Sequence, residues 1–176
     1  MKTLPQISER PEPSMQAPGT CAGVRFAELD VNRTIKAGPY KVSETEILQF
    51  ASTYDPQWFH TDTKAAASGP FQGLIASGWH TSAIAMRLAV DALFKDAETL
   101  ASPGVGYIKW PHPVRPGDCL TLHASVLESR RAASRPLLGI VRWRWQLRNQ
   151  HQIEVLELES TVLYDLAANR PKLQDA

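Results

Sequence analysis

The sequence predicts an α+β domain in which an antiparallel sheet wraps around one long, apolar helix. Three observations carry this. From Trp79 to about Phe94 the chain is apolar around most of a helical circumference, and Arg87, Asp91 and Lys95, four apart, form one narrow polar stripe. The C-terminal half alternates with period two: Leu120, Leu122, Ala124 and Val126 against Thr121, His123 and Ser125. Val141, Trp143, Trp145 and Leu147 then alternate with Arg142, Arg144, Gln146 and Arg148. Finally, 176 residues, 43% hydrophobic and 21% charged, suit one domain with a substantial core better than two. A helix apolar nearly all round has to be enclosed, and a sheet apolar on one face encloses it.

Taken in order, residues 1–22 carry Pro5, Pro11, Pro13 and Pro18 among polar residues and lack the apolar run of a signal peptide. They are expected to form a flexible arm, and residues 169–176 a tail, around a single domain at 23–168. Phe26 to Tyr40 reads as a short strand broken by Gly38 and Pro39. Ser43-Glu44-Thr45-Glu46 then has the form of a capping box, Ser43 accepting from the Glu46 N–H and the Glu46 side chain from the Ser43 N–H. Ile47, Leu48, Phe50, Ala51 and Tyr54 continue at helical spacing. Asp55-Pro56 ends that helix, because proline disfavours helical geometry in the residue before it. A short helix over Asp62–Ala67, a loop with Gly69, Pro70 and Gly73, and the long helix follow. The strands are expected from Gly104 to Trp110, around Leu120–Val126 and Val141–Leu147, and over Val155–Tyr164. Asn149-Gln150-His151-Gln152 makes the turn between the last two.

Composition narrows the partners. Nineteen basic residues stand against 18 acidic, a formal net charge of +1, which supplies no field for nucleic acid or an anionic membrane surface. Charges interrupt the most apolar segment before the roughly 20 residues a membrane span needs. Cys21 and Cys119 lack CxxC spacing, so they read as two reduced structural thiols of a cytoplasmic protein.

The polar residues worth explaining lie between the two helices, in Tyr54-Asp55-Pro56-Gln57-Trp58-Phe59-His60-Thr61-Asp62. A carboxylate and an imidazole five residues apart on one loop can hold a single water, one accepting its proton while the other orients it. The plainer alternative is a surface loop in which Asp55 turns the chain and His60 packs. Downstream, Ala76-Ser77-Gly78-Trp79-His80 opens the long helix, whose first N–H groups favour an oxygen gaining negative charge. Gly78 lets a ligand approach that backbone closely, or it merely permits a tight turn. Asp55, His60 and Asp62 together make a poor metal set, with one histidine among them. His80, His112, His123 and His151 have no paired spacing. Arg142, Arg144 and Arg148 share one strand face, read as a solvated face or subunit contact, with nucleotide phosphates the lesser alternative.

At these residues the chain resembles a known family. Asp55-Pro-Gln-Trp-Phe-His60-Thr-Asp62, followed by Phe71-Gln-Gly-Leu-Ile-Ala-Ser-Gly78-Trp-His, is similar to the hydratase motif of MaoC-like dehydratases, with His60 and Gly78 eighteen residues apart as in that family. Pro103-Gly104-Val-Gly-Tyr and Pro113-Val-Arg-Pro-Gly117-Asp118 match two further family segments. The resemblance covers about residues 26–165. It implies a hot-dog fold, the sheet being the bun around the Trp79–Phe94 helix, and reversible addition of water to a 2-enoyl-CoA thioester. Asp55 and His60 would then hold the catalytic water, the Gly78 N–H would polarise the thioester carbonyl, and Ser77 would contact substrate, as would Trp58, Phe59 and Trp79 unless these aromatics pack in the core. No metal or redox cofactor is implied, coenzyme A entering only as part of the substrate, and a homodimer or higher homo-oligomer is. The chain departs from the family pattern in three places. The usual Asn before the motif proline is absent, Ser77 stands for a His, and Met86 stands where some members carry a hydroxyl that orients the Asp, so that bond is expected to be lost. A hot-dog acyl-CoA thioesterase and a non-catalytic acyl-CoA-binding subunit are the competing readings.

Overall fold

The computed structural model describes residues 23–167; the expected N-terminal arm and the whole of the expected tail lie outside them. Five strands form one antiparallel sheet, β1 (Thr34–Lys41), β2 (Thr99–Lys109), β3 (Cys119–Ala132), β4 (Arg135–Arg148) and β5 (Glu154–Asp165), in the order β1-β3-β4-β5-β2. Four helices precede β2: α1 (Glu44–Tyr54), α2 (Trp58–Thr61), α3 (Thr63–Ala67) and α4 (Gly78–Ala89). This is the hot-dog arrangement. Leu122, Ala124 and Val126 of β3, Val141, Trp143, Trp145 and Leu147 of β4, and Leu156, Leu158 and Val162 of β5 are all buried with Ile84, Ala85, Leu88 and Ala89 of α4. Alternation therefore does what period two requires, putting every second side chain of three strands on the helix.

Several elements differ from expectation. The first strand begins at Thr34, after a 3-10 turn at Phe26–Glu28, and it continues through Gly38 and Pro39. A register shift between Ala37 and Tyr40 absorbs them rather than ending the pairing with β3. Strand β2 starts earlier, at Thr99, and the central hairpin is much longer than the clearest alternation: β3 and β4 run to Ala132 and from Arg135, turning at Ala133-Ser134. The Asn149–Gln152 turn is present, the Asn149 Oδ1 accepting from the His151 and Ile153 N–H groups. At α1, Ser43 Oγ accepts from the Glu46 N–H at 3.2 Å as expected, but its own hydroxyl donates to Glu46 Oε2 at 3.0 Å, closing the loop side chain to side chain. The long helix is α-helical only to Ala89 and then widens into a π turn at Val90–Phe94.

The largest correction concerns the face of α4. It is not enclosed all round: Trp79, Met86 and Val90 are 61%, 49% and 40% exposed, and Ala83 is exposed with them. Leu100 and Val105 of the edge strand β2 are exposed as well. Apolar spacing reports which residues avoid water, whether they do so inside one chain or between chains.

Candidate active site

Local chemistry places Asp55 at the C-cap of α1, its N–H bonded to the Ala51 carbonyl at 2.9 Å, where Pro56 stops the helix. His60 lies on α2, one turn of helix that the sequence reading took for loop; the Asp62 N–H closes it onto the Trp58 carbonyl. Four residues are too few for a periodic signal. Asp62 itself caps α3, its Oδ1 accepting from the Lys64 and Ala65 N–H groups, so it does not join Asp55 and His60 as a ligand set. Among the described residues no group of three His, Cys, Asp or Glu is placed to hold a metal ion.

The segment leading into α4 assembles the rest. His60 Nδ1 lies 2.8 Å from the Ile75 carbonyl, and the Ile75 N–H donates to the Phe59 carbonyl at 3.3 Å. A ring whose Nδ1–H is spent on a carbonyl turns Nε2 outward as the acceptor of the neutral imidazole. That atom is 3.5 Å from Asp55 Oδ2. Two acceptors at such a separation leave room for the protons of one water to reach both.

Ser77 supplies the bond expected to be lost at Met86. Its hydroxyl donates to Asp55 Oδ2 at 2.6 Å and accepts from the Trp79 N–H at 3.2 Å, while the Gln57 amide donates to Asp55 Oδ1 at 2.7 Å. The Ser77 hydroxyl above all, then Gln57, holds the Asp55 carboxyl below its ordinary pKa of 3.8, burial opposing them and His60 adding a smaller lowering. Asp55 is therefore a fixed carboxylate across the neutral range. Ser77, only 1% exposed, spends its hydroxyl proton on Asp55. Ser77 is also the N-cap of α4, and Gly78 is the first residue of that helix, so its N–H has no acceptor within it. A Cβ at Gly78 would fall 2.6 Å from the Trp110 ring. The glycine thus has a packing reason as well as any catalytic one.

The remaining expected contacts divide. Phe59 lies edge-on to His60, ring centroids 4.4 Å apart, and packs on Phe71. Trp79 is exposed and T-stacked on Trp110 at 5.3 Å. Trp58 covers Gly69, whose added Cβ would meet its ring at 2.5 Å, and stacks edge-on to Phe59 with centroids 5.4 Å apart. Sequence reasoning missed Gln57, Ile75 and Trp110; Gln57 and Ile75 lie in the motif runs, but no spacing singled them out.

With this geometry in hand, the comparisons decide the family. The family profile described as MaoC like domain matches residues 27–140. The chain belongs to the MaoC-like domain family. A solved MaoC-like dehydratase from Rhodospirillum rubrum is 36% identical, covering 85% of this chain and 99% of its own, with a TM-score of 0.76. An uncharacterised protein of Bacillus subtilis is 32% identical over 140 residues, 80% of this chain and 98% of that protein. A 3-hydroxyacyl-thioester dehydratase of Mycobacterium tuberculosis is 32% identical over 88 residues, 49% of this chain and 58% of that protein. An R-hydratase from Pseudomonas aeruginosa, 23% identical with a TM-score of 0.67 over 86% of this chain and 96% of that one, shares the fold. The MaoC-like profile spans α1 through the start of β4, and so contains Asp55, His60, Ser77 and Gly78.

Proposed function

We propose that this MaoC-like domain is a hydro-lyase that adds water reversibly to a 2-enoyl-CoA thioester, giving a 3-hydroxyacyl-CoA. The observation that carries the reading is the Asp55 Oδ2–His60 Nε2 gap of 3.5 Å, with each partner separately fixed, by Ser77 and by the Ile75 carbonyl. Water held there donates one proton to each acceptor and turns a lone pair toward the β-carbon. As the carbon–oxygen bond forms, one water proton passes to Asp55 and the alkene electrons move onto the thioester oxygen. The Gly78 N–H at the start of α4 receives that charge. A proton returns from the Asp55–His60 pair to the α-carbon, so the product carries the hydroxyl and the hydrogen of one water and the pair ends as it began. A carboxylate held below its usual pKa is a weak base, so withdrawal of charge by the thioester has to supply much of the driving force. On this reading no metal or redox group takes part, and the protein works in the cytoplasm, where CoA thioesters are supplied. No helix among the described residues is long and apolar enough to cross a membrane.

The exposed stripe of Trp79, Ala83, Met86 and Val90, next to Leu100 and Val105 on the β2 edge, fits a second copy of the chain, giving a homodimer.

The test follows loss of enoyl absorbance over a panel of 2-enoyl-CoA thioesters. Asp55→Asn and His60→Ala each lower kcat/KM by about 10²–10⁴. Release of free thiol with the enoyl group intact would establish a thioesterase instead, binding of the thioesters with no turnover by the wild type would leave an acyl-CoA-binding subunit, and full activity in both variants would remove the pair from catalysis.

A further inference from the structure

A second concavity, of about 520 Å³, lies between residues 112–118 and the β4–β5 hairpin. The acid–imidazole pair makes no use of it. Its size is that of a small-molecule site. Three basic side chains, His112, Arg115 and His151, line it against a single acid, Asp118. That carboxylate is already spent: its Oδ2 accepts from the Arg115 N–H at 2.8 Å and its Oδ1 from the Gln150 amide at 3.0 Å. Arg115 donates from Nη2 to the Phe71 carbonyl at 2.5 Å, which orients its fork and leaves other guanidinium donors unspent. His112 turns Nδ1 to the Glu154 carbonyl at 2.9 Å, leaving Nε2 for another partner. Pro113, Pro116 and Ile153 add apolar surface to the same walls. Basic donors around an apolar floor suit a ligand that joins phosphate to a planar base.

The cavity is tied to the active site through the backbone. The Ala76 N–H donates to the Val114 carbonyl at 2.8 Å, one residue before Ser77. Trp110, whose ring covers Gly78, is five residues from Arg115, a span of at most about 18 Å. An extended pantetheine arm bridges a distance of that order. The other cationic row does not compete: Arg142 and Arg144 are paired with Glu128 and Glu159, and Arg148 lies 3.8 Å from Glu154.

We propose that this cavity is the nucleotide subsite of the thioester carrier. It would hold a phosphorylated adenosine, with Arg115, His112 and His151 around the phosphate and Pro113, Pro116 and Ile153 against the base. Its connection to catalysis rests on the enoyl-thioester reading above; its existence as a phosphate site does not. Phosphate contacts of this kind weaken with salt.

The full-length protein is titrated calorimetrically with adenosine 3′,5′-bisphosphate, which has neither thioester nor pantetheine. Binding that Arg115→Ala and, independently, His151→Ala each weaken at least tenfold supports the subsite. His151 sits on the other wall, so a loop disturbed by loss of the Arg115–Phe71 bond does not decide the result. Kinetics supply the second readout: the ratio of kcat/KM for but-2-enoyl-CoA to that for the but-2-enoyl thioester of N-acetylcysteamine falls at least tenfold in both variants. Unchanged bisphosphate affinity in both variants, or an unchanged ratio, overturns the proposal. Turnover of a carrier-protein thioester with no affinity for the bisphosphate overturns it as well. Bisphosphate binding that depends on both residues, with no thioester turned over, leaves the subsite standing and removes the hydratase reading.

Discussion

Ser77→Ala removes one hydroxyl and tests how Asp55 is held. The hydroxyl makes two bonds, a donation to Asp55 Oδ2 at 2.6 Å and the cap on the Trp79 N–H. A hydrogen bond to a charged acceptor is worth about 1.5–3 kcal/mol. The Asp55 side chain is 19% exposed, so water partly replaces the lost donor and the lower end of that range applies. One decade of rate corresponds to about 1.4 kcal/mol, so kcat/KM should fall roughly tenfold. Loss of the cap costs about 1 kcal/mol of stability, a fall in Tm of a few degrees for a domain this size. The pH dependence carries the sharper sign. Asp55 has a depressed pKa, so its carboxylate form persists above and somewhat below pH 3.8 and is lost only as pH falls through the lowered value. Without its largest lowering partner the pKa rises toward 3.8, and protonation of Asp55 begins at higher pH. Carboxyl carbon NMR titration of Asp55 reads this directly, whatever the substrate. Stopped-flow kcat/KM between pH 3 and pH 7 reads its consequence. A variant with an unshifted Asp55 titration and wild-type kcat/KM would refute the assignment of Ser77 as the positioning residue.

Gly78→Ala should cost about 1–3 kcal/mol, because the new methyl sits 2.6 Å from the Trp110 ring and the indole has to leave; thermal melts and tryptophan fluorescence report both effects. His80 is buried, 3.8 Å from Glu46 and stacked on Phe50, and burial lowers its pKa from 6.5 against a raising effect of Glu46. The unfolded chain therefore takes up a proton near pH 6.5 that the folded one does not. Stability is full above that pH and declines as pH falls toward the lowered value. His80→Phe should flatten denaturant-derived stability between pH 7.5 and 5.5. If the chain forms the proposed homodimer, Val105→Lys, on the β2 edge, should convert it to monomer in light scattering at micromolar concentration, and an unchanged mass would separate that edge from assembly.

Sheet and helix were legible where side chains alternate strictly against one shared surface. Trp143, Trp145, Leu156 and Leu158 are buried as the period implies. Strand β2 was legible only in its second half, because Ala101, Ser102, Pro103 and Gly104 carry no alternation and stay exposed at the edge. The face of α4 was misread for a different reason, since an apolar residue at helical spacing carries no mark of whether its own domain covers it, and Met86 and Val90 stay exposed. Asp55, His60 and Gly78 were singled out by their family spacing, and the structure places Asp55 and His60 3.5 Å apart and Gly78 at the start of α4. Ser77 drew notice as a departure from it, but the separation of 22 positions between Ser77 and Asp55 hides a bond that only the meeting of the α1 C-cap with the α4 N-cap creates.

The His60–Ile75 and Asp55–Ser77 bonds fasten both halves of the acceptor pair to one short stretch of backbone, the stretch that ends in the Gly78 N–H. The two proton acceptors and the carbonyl-facing donor thus share a common mount. On the proposed hydratase reading, any displacement of residues 75–78 would carry all three together, and their mutual alignment would survive a movement that would ruin a site assembled from unlinked loops.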